Sequence, residues 1–563
     1  NLPASVVTQL RRPWGKSHVM SISDLGPKVA AKRLHATLPY MDKLRSADIR
    51  SVKSVINPVV IIRSDPSKPP VILDDEQERI VTEKPTLQPL GKELPEDENA
   101  TQEAFFPARP AESESEEGEE SPTAVRPPEL ERLTRSCSIR LVRGVAGSGK
   151  TLVLTQRARY LAAQHPEWHI GVCTFNRRLA ESLQASLKGI PNVKCAHFHR
   201  LCSGLLQDYI AWSAPCNPDG WIQNRRDKWP IIQELGAEYL SQEIKWIKEV
   251  RVPSRAEYLE MERKGRERGL LRGGRQRREI YDLLETYEDW LEEEETYDWA
   301  DVPLMVIEAI DAGGIAVQPF DAVLIDEAQD FAPSWIAVVK HLLRPEGGLI
   351  FLADDPSQSI YRYYSWEEKG LPVVGRTRWL RIPYRNTREI YQAAYEIIRN
   401  DDTLRKHLEQ ETGIALEPDL TSQYLRSGPR PQIRRFGSQQ NELEFLESEI
   451  RWLLQNGVDA KQIAVLHRRR SGADKLRGRL GRLGVDASTF HALKGLEFDA
   501  VFICQAQYAF PESIMRSEHA LSEERRLFYM SMTRARRRLY MSYQDRWPEP
   551  LIPVRAHTEQ ILM

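Results

Sequence analysis

The octapeptide Gly144-Val145-Ala146-Gly147-Ser148-Gly149-Lys150-Thr151 constrains this 563-residue chain more than any other stretch. It fits G-x-x-x-x-G-K-[ST], a pattern that needs an apolar strand before it and a helix after it. Ser138 to Arg143 reads as the strand, and Leu152, Val153, Leu154 and Ala158 carry the helical pattern. Gly144, Gly147 and Gly149 let backbone N–H groups converge on phosphate oxygens, and the helix N-terminus adds positive potential. Lys150 is placed to reach the β- and γ-phosphates and Thr151 to ligate Mg²⁺. A glycine-rich turn that binds nothing has no packing use for Lys-Thr at that offset.

Such a loop needs an acidic residue at the end of a second strand. Leu324-Ile325-Asp326-Glu327-Ala328-Gln329-Asp330 supplies one, because the apolar residues before Asp326 place its carboxylate at the carboxyl edge of a sheet. There Asp326 is placed to hold Mg²⁺, and Glu327 to accept a proton from an attacking water. A solvated acidic loop after a strand looks the same in isolation; a phosphate loop on the same chain favours the catalytic reading. Further strands are expected at Ile170 to Phe175, Leu349 to Ala353, Ile463 to His467 and Ala500 to Cys504. They alternate with amphipathic helices, which makes the fold class α/β with parallel sheets.

Composition divides the rest. Residues 1–84 form an N-terminal segment of unassigned role, in which Val55 to Arg63 reads as a strand interrupted by Pro58. Residues 85–129 are rich in Pro and Glu, with six glutamates between Ala111 and Glu120, so they are expected to be a disordered linker. Residues 203–315, rich in Trp, Tyr, Glu and Arg, are expected to be a mostly helical insertion. The net charge of -2 excludes a uniformly basic nucleic-acid coat but not a local basic groove. No apolar run reaches the ~18 residues of a membrane helix. The opening Asn1-Leu2-Pro3 lacks an initiator Met and the order of a secretory signal, as in a processed chain or a fragment. Six cysteines in so long a chain do not make a disulfide scaffold, so a cytoplasmic location is expected.

Asp-Glu-Ala-Gln-Asp behind a phosphate loop resembles the superfamily 1A helicases of the UvrD/Rep type. The resemblance covers roughly residues 137–545, and four further segments follow in that family's order. They are Asp355 to Tyr361, Leu380 to Thr387, Thr489 to Phe498, and Glu524 to Tyr529 continuing to Thr533-Arg534-Ala535. The resemblance implies two RecA-like domains with ATP between them: 1A from 130–202 and 316–372, a 1B insertion at 203–315, 2A at 373–545 and a tail at 546–563. It implies that Gln358 faces the γ-phosphate from the first domain, and that Arg385 and Arg534 face it from the second. Glu497 joins the nucleotide site by the same resemblance. A guanidinium is planar and permanently charged, which suits the charge on a transferring phosphoryl group. Alone, either arginine could equally be a surface salt bridge. A glutamine usually meets the base upstream of the loop. Here Leu73-Asp74-Asp75-Glu76-Gln77 resembles that element, displaced by the acidic linker; Gln77 reads adenine, or Asp74 simply caps an exposed helix start, and the sequence leaves both open.

Gripping a single strand takes phosphate contacts and aromatic faces. By resemblance the strand contacts are Phe175 and Asn176, His199 after Phe198, Tyr363, and His491. The family commonly continues Arg-Gly-Ala where this chain has Tyr364-Ser365-Trp366, and core packing is the alternative for that aromatic cluster. Cys195, His197, His199 and Cys202 do not have a usual zinc spacing. The stretch from Arg263 to Arg278 holds eight basic residues in sixteen and is expected to contact phosphates from the insertion. Glu243-Ile244-Lys245-Trp246 and Tyr297-Asp298-Trp299 resemble helicases with a nuclease-related N-terminal domain, so a nuclease partner is compatible; residues 1–84 hold no carboxylate set for cleavage. Only 103 residues separate Arg385 from Thr489, too few for a full 2B insertion.

The resulting expectation is an ATP-dependent single-stranded DNA translocase and helicase, moving 3′ to 5′ by resemblance. The alternative is a nucleotide-switched clamp or nuclease-partner subunit that unwinds nothing, and RNA is not excluded as the polymer. Lys150→Ala is expected to abolish ATP hydrolysis while single-strand binding largely survives, as read by phosphate release and oligonucleotide anisotropy. Turnover at the normal rate would refute the assignment.

Overall fold

Runs of aliphatic residues, buried along their whole length at each sheet centre, build two six-stranded sheets in the computed structural model. Burial on both faces is what parallel sheets require, and every pairing in these two sheets is parallel. The structure describes residues 59–61, 71–84, 137–207, 209, 215–261, 270–358, 364–412, 417–422, 425–493, 495–515 and 517–562. The acidic linker, Tyr363 and the stretch from Arg263 to Arg268 lie outside the described residues. No helix among the described residues is long and apolar enough to cross a membrane.

The chain divides into two compact units, the first holding the described residues 59–61, 71–84 and 152–161. In it β1 (Val59–Ile61) pairs antiparallel with β2 (Val71–Leu73), which leads into α1 (Asp75–Thr82). Asp74 caps α1: its Oδ1 accepts the Gln77 N–H at 2.7 Å, while Gln77 Oε1 accepts the Asp74 N–H at 3.1 Å. The helix start is thus capped by aspartate, but Gln77 is buried rather than exposed.

In the second unit β3 (Ser138–Gly144) runs into the phosphate loop and α2 (Lys150–Gln164), of which Lys150, Thr151 and residues 162–164 belong to this unit. There follow β4 (Ile170–Thr174), α3 (Arg177–Leu187), β5 (Val193–His197) and α4 (Phe198–Leu206). The insertion is helical; its main helices are α5 (Ala237–Val250), α6 (Arg275–Glu293) and α7 (Asp301–Asp311). Its apolar side, including Ile244, Leu283 and Val306, shares one core with the first sheet. The chain returns through β6 (Ala322–Asp326), α8 (Pro333–Leu342), β7 (Leu349–Asp354) and β8 (Thr377–Leu380), giving the order β5-β4-β6-β7-β3-β8. A crossing segment leads to α9 (Arg388–Ile398), and the second sheet is built from β9 (Gln432–Arg435), α10 (Gln439–Gln455), β10 (Ile463–His467) and α11 (Arg470–Leu480). It is completed by β11 (Asp486–Thr489), β12 (Phe498–Cys504), α12 (Glu518–Met532), β13 (Ala535–Tyr543) and β14 (Glu559–Leu562), in the order β11-β10-β12-β13-β9-β14.

The structure corrects three sequence expectations. Thr377–Leu380, placed beyond residue 372 in the second domain, is an edge strand of the first sheet, with Leu141 opposite Thr377. It was hard to recognise because an edge strand tolerates half-exposed Thr377, Arg378 and Trp379. Residues 546–563 are no mere tail, since β14 pairs with β9 along four residues. Arg277 is no phosphate contact: it is buried, and its Nη1 donates to the carbonyls of Tyr258, Leu259 and Met261 at 2.6, 3.2 and 2.8 Å. One nitrogen of the guanidinium, Nη1, thus closes the end of a short helix. Its neighbour Arg275 pairs with Glu234 and Glu279, each at 2.7 Å.

The centre of the first sheet is pinned by a buried ion pair, Arg143 with Asp354, at 3.0–3.1 Å and with both side chains 1% exposed. Arg143→Ala leaves the Asp354 carboxylate buried without its cation. It is expected to destabilise the protein by about 3–5 kcal/mol, measured as a shift in the urea unfolding midpoint.

Candidate functional site

Strand order decides what meets what. The carboxyl ends of the first sheet present, in turn, His197 and His199 after β5, Phe175 and Asn176 after β4, and Asp326 and Glu327 after β6. Next along the same edge come Asp354 and Asp355 after β7, then the phosphate loop after β3. Residues expected at the triphosphate and residues expected at a strand therefore lie on one edge, at opposite ends.

The loop has the backbone its motif demands. Gly147 and Gly149 sit at φ +77° and +88°, in the left-handed region that favours glycine. A Cβ on Gly147 would stand 2.5 Å from Arg385 Cβ, so the loop and the crossing segment touch. Lys150 Nζ donates to the Gly144 and Val145 carbonyls at 2.8 and 3.1 Å and pairs with Asp355 Oδ2 at 3.0 Å. Asp355 is fully buried. Its Oδ2 also accepts from Gln358 Nε2, its Oδ1 accepts the Ser357 N–H at 3.2 Å and the Ser357 hydroxyl, and its own N–H donates to Gln329 Oε1 at 3.1 Å. Gln358 Oε1 in turn accepts from Arg534 Nη2. An unbroken line of polar contacts thus runs from Lys150 to Arg534.

Arg534 precedes β13 and Glu497 precedes β12, strands that pair with Phe498 opposite Ala535. Glu497 pairs with Arg385 at 2.5 Å and with Arg536 at 2.8 Å. Burial opposes its ionisation, but Arg385 and then Arg536 outweigh that and hold its carboxyl below the usual range. Burial, then the charge of Arg385, lowers Arg534 to about 10, which leaves it cationic at neutral pH. Arg385 itself follows β8 of the first sheet, in the crossing segment rather than inside the second sheet. Neighbouring Asn386, fully buried, donates to the Thr533 and Ala535 carbonyls at 2.9 and 2.6 Å and fastens that segment beside Arg534. Val145 and Ala146 pack into the same apolar core as Ile390 and Phe528.

Asp326 is 1% exposed. Burial, then the charge of Glu327, pushes its carboxyl up to about 7, opposed by a hydrogen bond from Thr151 and by Lys150. Its Oδ1 accepts the Glu327 N–H at 3.0 Å, while Oδ2 is buried with no hydrogen-bond partner. A buried carboxylate oxygen without a donor, beside a threonine hydroxyl, is a hard-oxygen pair of the kind that suits Mg²⁺.

At the other end of the edge, Phe175 lies 5.1–6.1 Å, centroid to centroid, from His197, His199 and Trp335. Burial, then His197 and Lys245, lowers His199 to about 4, so its imidazole is neutral above that pH. Trp299, missed by sequence reasoning as a site residue, meets His199 edge-on at 5.1 Å and is 49% exposed. Its turn is built from below: buried Lys248 pairs with Asp298 at 3.1 Å and Asp301 at 2.7 Å, and Asp298 accepts the Ala300 N–H at 2.7 Å. Asn176 caps α3 by accepting the Leu179 N–H at 3.1 Å, and a Cβ on Gly495 would lie 3.3 Å from its Nδ2, which brings the Glu497 segment to the same place. His491 is half-buried in a single turn after β11. Tyr364 and Trp366 are buried, so that part of the aromatic cluster packs inward.

A model of the UvrD/REP helicase N-terminal domain matches residues 127–367, and one of the UvrD-like helicase C-terminal domain matches 379–488 and 484–546, together most of the chain. The chain is 24% identical over 442 residues to a probable DNA helicase of Mycoplasma pneumoniae, covering 72% of this chain and 80% of that protein. It is 25% identical over 485 residues to DNA helicase IV of Escherichia coli, covering 74% and 67%. The ATP-dependent DNA helicase PcrA of Bacillus subtilis is 26% identical over 296 residues, covering 48% and 39%.

A divalent cation held by the Asp326 oxygens would compete with a proton for them. Mg²⁺ affinity is therefore expected to rise as pH climbs from about 6 to 8, through the raised carboxyl at about 7. Titrating Mg²⁺ against the thermal midpoint measures this, and Asp326→Asn removes both the binding and its pH dependence. The folded-state value lies above the unfolded one, so the protonated carboxyl stabilises at low pH and that stability is lost as pH rises through 7. In Mg²⁺-free buffer at pH 8 the Asn variant is thus expected to melt higher than the parent, by about 1 °C per kcal/mol recovered.

Proposed function

The chain belongs to the UvrD/Rep helicase family, and from that premise we propose that it is an ATP-dependent DNA helicase that moves 3′ to 5′ along a single strand. Gly144, Gly147, Gly149 and Lys150 receive the triphosphate. Thr151 and Asp326 hold Mg²⁺, which when bound neutralises charge on the phosphoryl oxygens. Glu327 takes a proton from the attacking water, Gln358 faces the γ-phosphate, and Arg385 and Arg534 supply charge opposite Lys150, with Glu497 orienting Arg385.

The observation that carries this reading is the line from Lys150 through Asp355 and Gln358 to Arg534. It joins a cation of the first sheet to a cation of the second through one buried carboxylate. Phosphate oxygens compete with Asp355 and Gln358 for those cations, so binding and hydrolysis of ATP change what fastens the two sheets to each other. The strand lies along the other end of the same edge, over Phe175, His199 and Trp299, flanked by Asn176 and His491. Movement between the sheets is then movement along the strand.

Hydrolysis rates with single-stranded DNA, duplex DNA and RNA, together with displacement from 3′- and 5′-tailed duplexes, test the proposal. Strong stimulation by single-stranded DNA and displacement of the 3′-tailed duplex are expected. Hydrolysis without displacement supports the clamp reading instead, which the short stretch between Arg385 and Thr489 favours; displacement only from a 5′ tail overturns the polarity. Trp299→Ala is expected to weaken single-strand affinity about 5- to 100-fold, measured by anisotropy, with ATP affinity unchanged.

A further inference from the structure

Lys369 is 2% exposed, yet its side chain ends in an amino group that needs hydrogen-bond acceptors. Its Nζ donates to the carbonyls of Ala328 at 3.1 Å and Gln329 at 3.3 Å, and it lies 4.3 Å from the centre of the Trp366 ring. A buried amino group is costly unless its donors are satisfied, and here they are directed at two main-chain oxygens of one turn. That turn, Ala328–Asp330, follows Asp326 and Glu327 directly. Within it Gln329 Nε2 donates to Glu327 Oε2, and Gln329 Oε1 accepts the Asp355 N–H at 3.1 Å. Glu327 sits at φ +54°, a left-handed conformation that a residue with a side chain keeps only where its surroundings hold it.

The stretch that carries Lys369 is itself fastened elsewhere. Tyr364 donates its hydroxyl to Glu249 Oε2 on α5 at 2.6 Å, and Trp366 Nε1 donates to Asp354 Oδ2 at the end of β7 at 3.3 Å. From these contacts we propose that Lys369 is a positioning residue for hydrolysis: it fixes the turn that orients Glu327 and ties it to the stretch following Gln358. The proposal rests on Glu327 being the proton acceptor. In that step a water oxygen bonds to the γ-phosphorus, its proton passes to the Glu327 carboxylate, and the bond to the bridging oxygen breaks to release ADP. Lys369 touches none of those atoms and acts through Ala328 and Gln329.

Lys369→Met keeps the length of the stem and removes the donors. It is expected to lower kcat for ATP about 10- to 100-fold, as small misplacements of a catalytic group do, with KM for ATP and single-strand affinity within about twofold of the parent. Combined with Gln329→Ala it is expected to lower kcat no further than the more severe single change, because both act on one turn. An unchanged kcat, or a fall in kcat matched by loss of ATP and strand affinity, overturns the proposal. If Lys369→Met does not fold, Lys369→Gln is read by the same criteria, with a kcat loss of about 3- to 10-fold expected. Glu327→Gln, run in parallel, separates the two ideas. Full turnover in that variant removes the premise about Glu327, whereas a dead Glu327→Gln beside fully active Lys369 variants removes only the role of Lys369.

Discussion

A carboxyl group with no exposure at all needs hydrogen-bond donors for its oxygens, and Asp355 collects them from several segments. The ammonium of Lys150, the hydroxyl and N–H of Ser357 and the amide of Gln358 all point at its two oxygens. Each of those donors is a residue, or adjoins one, whose type suits phosphate chemistry. The charge that satisfies the buried carboxylate is therefore also the charge that positions the site. Because Gln358 reaches on to Arg534, the same carboxylate lies at the junction of the two sheets.

The parallel sheet explains why so many polar groups converge. Neighbouring parallel strands end on one side, so five chain segments far apart in sequence deliver their first loop residues to a single edge. The order of strands then sorts them, with the phosphate loop toward one end and the Phe175–His199–Trp299 aromatics at the other. Asp326 and Glu327 stand between. The second sheet's flanking segments meet this edge where Arg534 reaches Gln358 and where Gly495 approaches Asn176, and the crossing segment meets it where Arg385 approaches Gly147.

Much of this was legible in the residues. The phosphate loop and the Asp-Glu at a strand end carry their own physics, since glycines at fixed offsets and an acid after an apolar run specify local geometry without help. The strands at Ala322–Asp326 and Ile463–His467 fell where aliphatic runs placed them. Edge strands escaped: β8 and β14 mix polar and apolar residues, as strands with one open side do. The basic stretch misled, because charge density along a sequence does not say which side of a helix a guanidinium occupies; Arg277 turned inward to close a helix end. Asp355 stood in a recognised segment, yet nothing in its neighbours indicated that it would be buried beneath Lys150.

By itself the sequence determined local geometry: a glycine loop between strand and helix at Gly144–Thr151, and an acid at a strand end at Asp326. These depend on residues within a few positions of one another, whose backbone conformations are fixed by glycine, by the strand before and by the helix after. Tertiary structure alone decided the partnerships: Lys150 with Asp355, Arg534 with Gln358, Arg385 with Glu497, Lys369 with the turn after Glu327. Those pairs are separated by between 40 and 205 positions along the chain. Their meeting is set by strand order and by which buried charge finds a donor, quantities that exist only once the sheets have formed.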